Sequence, residues 1–152
     1  MRKRFAATML VCLCVIDCLA QLKTTTHEEA GNYSIVYETK YLGRIGQVRH
    51  IKSIGEYVLF GQSTNLREET MHSIFLGKDK ESAIKTLSDL KALKSTIGDK
   101  TLLVDGFLGK TTKIWKEFGC LGFKTEGVVG YTAILCSFKY DKAIKALNAY
   151  QE

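Results

Sequence analysis

The sequence predicts an α+β fold, mostly antiparallel: β-meander sheets with two amphipathic helices packed on one face. Three observations carry that expectation. Short stretches rich in β-branched and aromatic residues alternate with glycines, the pattern of strands joined by tight turns. Two segments switch to apolar spacings of three and four, the helical period. And the chain reads alike in two halves, 32–98 and 99–152, each running from strands into a helix.

The first half offers strands at Tyr33–Leu42, Ile45–Lys52, Glu56–Gln62 and Met71–Leu76. Gly43 and Gly55 mark turns, where a residue free to take positive φ is wanted. A helix follows, with Ile84, Leu87, Leu90, Leu93 and Ile97 on one stripe. Asp79 suits its N-cap, and Gly98 the position just past its end. The second half offers strands at Thr101–Leu108, Thr111–Phe118, Cys120–Lys124 and Tyr131–Lys139, with Gly109, Gly127 and Gly130 at turns. Thr111–Phe118 also fits a short helix, because Ile114, Trp115 and Phe118 can share one face. The last helix, Asp141 to Tyr150, repeats the design with Ala143, Ile144 and Leu147. Sheets and helices that each have one apolar face bury them economically against one another.

The likeness between the halves rests on three pairs of landmarks. Tyr41-Leu42-Gly43-Arg44 matches Phe107-Leu108-Gly109-Lys110. Ser73-Ile74-Phe75-Leu76 matches Ala133-Ile134-Leu135-Cys136, and Ala83-Ile84-Lys85-Thr86-Leu87 matches Ala143-Ile144-Lys145-Ala146-Leu147.

Before this domain, 32–152, lie a polar lead-in, 21–31, and an N-terminal address. Arg2, Lys3 and Arg4 precede an apolar stretch from Phe5 to Ala20, which ends in small residues before Gln21. That order is a secretory signal peptide, 1–20, with cleavage expected between Ala20 and Gln21. Two rival readings are an uncleaved anchor, for which the stretch is short and carries Asp17, and a lipoprotein modified on Cys18, against which the acidic residue directly before that cysteine counts. The expected location is therefore secreted or periplasmic. The leader holds three bases and one acid, so the net charge falls from +6 to +4 after cleavage. Nucleic acid is not expected as a partner, and no span is expected in the mature chain. Three of the five cysteines leave with the leader. Cys120 and Cys136 remain, and a register pairing Thr125 with Tyr131 sets them directly opposite, where a disulfide can close.

Chemical motifs are sparse. Gly106-Phe107-Leu108-Gly109-Lys110-Thr111 imitates the end of a phosphate loop, but Val104 stands where the first glycine belongs. His27, His50 and His72 share no metal-ligand spacing, so neither a metal nor any other cofactor is expected. His72 alternates with Ile74 and Leu76, and His50 with Val48, as partly buried strand residues do. No residue is assigned to catalysis. A Cys–His pairing or a convergence of Asp105, Glu117 and Glu126 would be needed for the alternative, a small secreted hydrolase whose site the sequence does not display. The candidate binding residues are Tyr33, Tyr37 and Tyr41, on one face of the first strand, suited to stack a saccharide or a protein partner. Trp115 is a further aromatic candidate. Asn32-Tyr33-Ser34 fits a glycosylation sequon. The expected function is an exported, non-enzymatic binding or interaction domain.

Overall fold

In the computed structural model the described residues are 32–42, 44–65 and 70–152. The signal peptide, its cleavage point, the whole lead-in with His27, and Gly43 lie outside them. Four strands come first: β1 (Tyr33–Tyr41), β2 (Arg44–Ile51), β3 (Glu56–Gln62) and β4 (Met71–Gly77). They form one antiparallel sheet in the order β1-β2-β3-β4. Helix α1 (Lys80–Thr96) follows. Then β5 (Leu102–Asp105), β6 (Thr111–Glu117), β7 (Cys120–Thr125) and β8 (Ala133–Ile134) make a second sheet, order β5-β6-β7-β8, before α2 (Tyr140–Ala149) closes the chain.

The α+β expectation is met, with two four-stranded meanders and helices packed against strands. The first landmarks lie at the β1–β2 and β5–β6 connections and the third on the two helices, while residues 73–76 lie on β4 but only Ala133–Ile134 of their counterpart on β8. Leu42 and Leu108 both adopt positive φ, 49° and 58°.

Boundaries follow local chemistry. The Asp79 carboxylate accepts the Ser82 N–H at 2.7 Å and starts α1, and Gly98 with φ 59° lets the chain turn away after it. One strand holds against its helical alternative, and one needs correction. Thr111–Glu117 is a strand, since Thr112 and Ile114 point into the core at period two and the strand pairs on both sides. The stretch Tyr131–Lys139 pairs only at Ala133–Ile134, because Ala133 also bridges to Ser63 and the chain then turns toward α2.

One core joins all the layers. Tyr57, Leu59 and Ile74 from the first sheet meet Ile114, Leu121 and Phe123 from the second, with Leu87 and Leu147 from the helices. Burying each large apolar side chain stabilises the fold by roughly 1.5–3 kcal/mol. Where the sheets meet, β3 approaches β7 at Gly61: a Cβ there would lie 2.5 Å from Phe123 Cζ and 2.9 Å from Ala133 Cβ. Glycine is required at Gly61 by contact rather than by backbone conformation.

Candidate functional site

The polar residues of the sheet junction come first, because a His, a Ser and two Thr converge there. His72, Ser73, Thr112 and Thr125 are all buried. His72 Nδ1 accepts the Thr125 N–H at 3.1 Å, so Nε2 carries the proton and donates to the Tyr131 carbonyl at 2.5 Å. Thr112 Oγ1 donates to the Ser73 carbonyl at 2.7 Å, and Ser73 N–H donates to Thr125 Oγ1 at 2.8 Å. Ser73 Oγ accepts the Phe107 N–H at 2.9 Å. Burial also holds the His72 pKa below its ordinary value. Both imidazole nitrogens are engaged, so neither is free to take a proton from Ser73. The cluster ties β4 to β6, β7 and the β5–β6 turn.

The other catalytic combinations do not assemble either. Glu117 ends β6, whereas Asp105 pairs with Thr111 at its beginning, and Glu126 N–H bonds the Thr111 carbonyl. Six strand steps, about 20 Å, therefore separate Glu117 from the other two. The sulfurs of Cys120 and Cys136 lie 2.18 Å apart, at disulfide distance, with Cα atoms 5.0 Å apart. The observed register pairs Gly122 with Ile134 and Phe123 with Ala133, the same alignment that sets the two cysteines opposite. In the phosphate-loop look-alike, the Gly106, Phe107 and Lys110 N–H groups are already used within the protein. Among the described residues no group of three His, Cys, Asp or Glu is placed to hold a metal ion. No described helix is long and apolar enough to cross a membrane.

At the opposite end of β6 a cavity of about 310 Å³ opens between the β1–β2 hairpin, the β6–β7 turn and the segment following β8. Its walls include Tyr41, Arg44, Gln62, Glu117, Phe118 and Phe138. The β6–β7 turn has positive φ at both Phe118 (50°) and Gly119 (73°), the conformation of a tight two-residue hairpin. A non-glycine residue at positive φ is strained. Here that conformation leaves the Phe118 ring 86% exposed. Tyr41 stands 53% exposed on the rim. Arg44 Nε is shielded from solvent and meets no acceptor among the described residues, and no described carboxylate is ion-paired with the group. Glu117 Oε2 accepts the Trp115 indole N–H at 3.1 Å. Cys136 lines the same wall, so the Cys120–Cys136 pair anchors it to β7.

No protein-family model, curated protein or solved structure matches this chain. The site must therefore be read from its own geometry.

The three tyrosines do not act together. Tyr41 lines the cavity, but Tyr37 is half-buried and set edge-on to Phe138, ring centroids 5.4 Å apart. Tyr33, at the start of β1, is half-buried as well. Trp115 is half-buried, and Asn32 of the sequon is exposed. Sequence reasoning missed Arg44, Glu117 and Phe118 as one wall system. The signal was present in part: Arg44 is the base of a repeated turn motif, and Phe118-Gly119 is a turn pair lodged inside an apolar stretch.

His50 belongs to a separate cluster. It stacks on Tyr57, ring centroids 4.5 Å apart, and its Nδ1 lies 3.2 Å from the Tyr150 hydroxyl. Tyr57 donates to Glu152 at 2.5 Å, and Lys80 Nζ to the Tyr150 carbonyl at 2.5 Å. These bonds hold the C-terminal segment over β2 and β3. Burial lowers the His50 pKa, and burial together with the Glu152 hydrogen bond raises that of Tyr57.

Proposed function

We propose that this chain is an exported, non-enzymatic binding domain whose ligand site is the cavity between the β1–β2 and β6–β7 hairpins. The observation that carries the reading is the combination of large exposed aromatics, Tyr41 and Phe118, on the rim of a cavity that Arg44 also lines, with no carboxylate among the described residues paired to it. Binding sites are concave and mostly apolar, with a few placed polar groups. Catalytic sites instead need a base with a free nitrogen or oxygen next to a nucleophile. His72, bonded at both ring nitrogens, supplies none to Ser73 beside it, and His50 lies away from the cavity, against Tyr57 and Tyr150. Export is supported by the N-terminal address and by a cysteine pair at bonding distance, which persists in oxidising compartments.

Two measurements test this. Protein recovered from its host should have a mass that begins at Gln21, with Cys120 and Cys136 labelled only after reduction. Labelling before reduction, or a full-length mass, overturns export. In NMR titrations against a panel of organic acids, alcohols, amines and sugars, binders should shift the amides of Ile45, Phe118 and Ser137 and remain chemically unchanged on long incubation. Turnover of a bound compound would convert the reading to the hydrolase. Shifts confined to the second, more open concavity near Ile54, Phe75 and Leu108 would move the site.

Replacing both cysteines by serine should release the wall carrying Cys136. Loss of the short cross-linked loop is expected to cost up to about 3 kcal/mol, measured by urea unfolding. An unchanged midpoint would mean that the bond contributes nothing.

A further inference from the structure

We propose, building on the reading of the cavity as a ligand site, that its ligand is a small monocarboxylic acid bearing an aryl or branched hydrocarbon group. The argument begins at Arg44. Arginine cannot shed its charge, and a guanidinium offers five donors in a planar fork. An N–H that is buried without an acceptor is costly to leave so. Arg44 Nε is in that state, while no carboxylate among the described residues pairs with the group. Arg44 also lines the cavity, and the counter-ion its charge lacks is supplied best by a carboxylate, which a guanidinium grips through two parallel charge-assisted bonds.

Glu117 limits the charge of the ligand. Its carboxylate lies on the same cavity and is hydrogen-bonded by Trp115 but ion-paired to nothing among the described residues. One cation and one anion together favour a single negative charge beside Arg44 and disfavour phosphate, sulfate or a dicarboxylate. The remaining surface sets the other half of the ligand. Tyr41, Phe118, Ile134, Leu135 and Phe138 give it apolar walls. The volume of about 310 Å³ is at the small end of ligand pockets, the size for one ring or a short branched chain rather than a polymer. A sugar would leave the guanidinium charge without its counter-ion.

The test compares four probes on the wild-type protein by NMR titration: phenylacetate, its neutral analogue 2-phenylethanol, its cationic analogue 2-phenylethylamine, and inorganic phosphate. Phenylacetate is expected to bind at least tenfold more tightly than the alcohol, with shifts at Ile45, Phe118 and Ser137. The amine and phosphate should give no saturable shift there. Arg44→Gln should remove the preference for the acid over the alcohol while leaving the alcohol's own affinity within about twofold, and Glu117→Gln should allow phosphate to compete with phenylacetate. If the alcohol or the amine binds as tightly as the acid, the monocarboxylate assignment is overturned while the cavity stands as a binding site. If the acid preference survives Arg44→Gln, the role of Arg44 is overturned. If none of the four probes, nor a disaccharide added as a fifth, perturbs the cavity, the ligand-site reading itself falls. The wild-type comparison of acid with alcohol decides the assignment even if a variant does not fold.

Discussion

Phe123→Ala is expected to destabilise the protein by about 3–5 kcal/mol, the range for deleting a fully buried aromatic ring. Phe123 is wholly buried, and it packs into the space that the missing side chain of Gly61 leaves open. The same contact makes Gly61→Ala costly from the other side. An added methyl would meet Phe123 Cζ at 2.5 Å and Ala133 Cβ at 2.9 Å, and both neighbours are fixed by strand pairing. Overpacking of this kind costs about 1–3 kcal/mol. The two effects must interact. In a Phe123→Leu background the ring tip is gone, so Gly61→Ala should cost about 1 kcal/mol less than in the wild type. Urea unfolding of the four proteins measures this as a coupling energy. Strict additivity would show that the approach of β3 to β7 is not held by this pair.

The junction between the sheets was also the hardest feature to foresee. Strands β1 to β4 were legible from β-branched and aromatic runs bounded by turn residues, and both helices from their apolar spacings of three and four. The register of Cys120 against Cys136 was legible too, since a turn between Thr125 and Tyr131 fixes every later pair. Gly61 carried no such signal. Its glycine is required by a residue 62 positions away in the chain, and local pattern says nothing about such contacts. The cavity escaped for the same reason. Tyr33, Tyr37 and Tyr41 alternate correctly, but alternation does not show that Tyr37 is taken up by Phe138. Arg44 and Phe118 sit at two different turns, and only the assembled sheets bring them to one cavity. Positive φ at Leu42, Leu108 and Phe118 was hidden by the following glycines, to which the turn signal was credited in two of the three cases.

His72→Leu should be nearly as damaging as the loss of Phe123, and its effect carries a pH signature. The substitution keeps the volume roughly filled but strands the Thr125 N–H and the Tyr131 carbonyl, each now without its imidazole partner. Buried groups orphaned in this way cost about 1–3 kcal/mol each. The wild-type protein should also lose stability on acidification. Burial holds the His72 pKa below its ordinary value of 6.5. As the pH falls below that value the unfolded chain takes up a proton that the native histidine does not, and native stability declines until the native pKa is reached. His50, lowered by burial in the same direction, adds to the slope. Above pH 7 the contribution of both groups to the pH dependence vanishes. In His72→Leu the decline between pH 6.5 and 5 should become shallower, leaving the part due to His50, and the His50→Phe/His72→Leu double variant should flatten it further. Unfolding midpoints at half-unit pH intervals supply the comparison. A wild-type midpoint that rises on acidification through this window would mean that the native state, not the unfolded chain, binds the extra proton, and the neutral Nε2–H form assigned to His72 would be wrong.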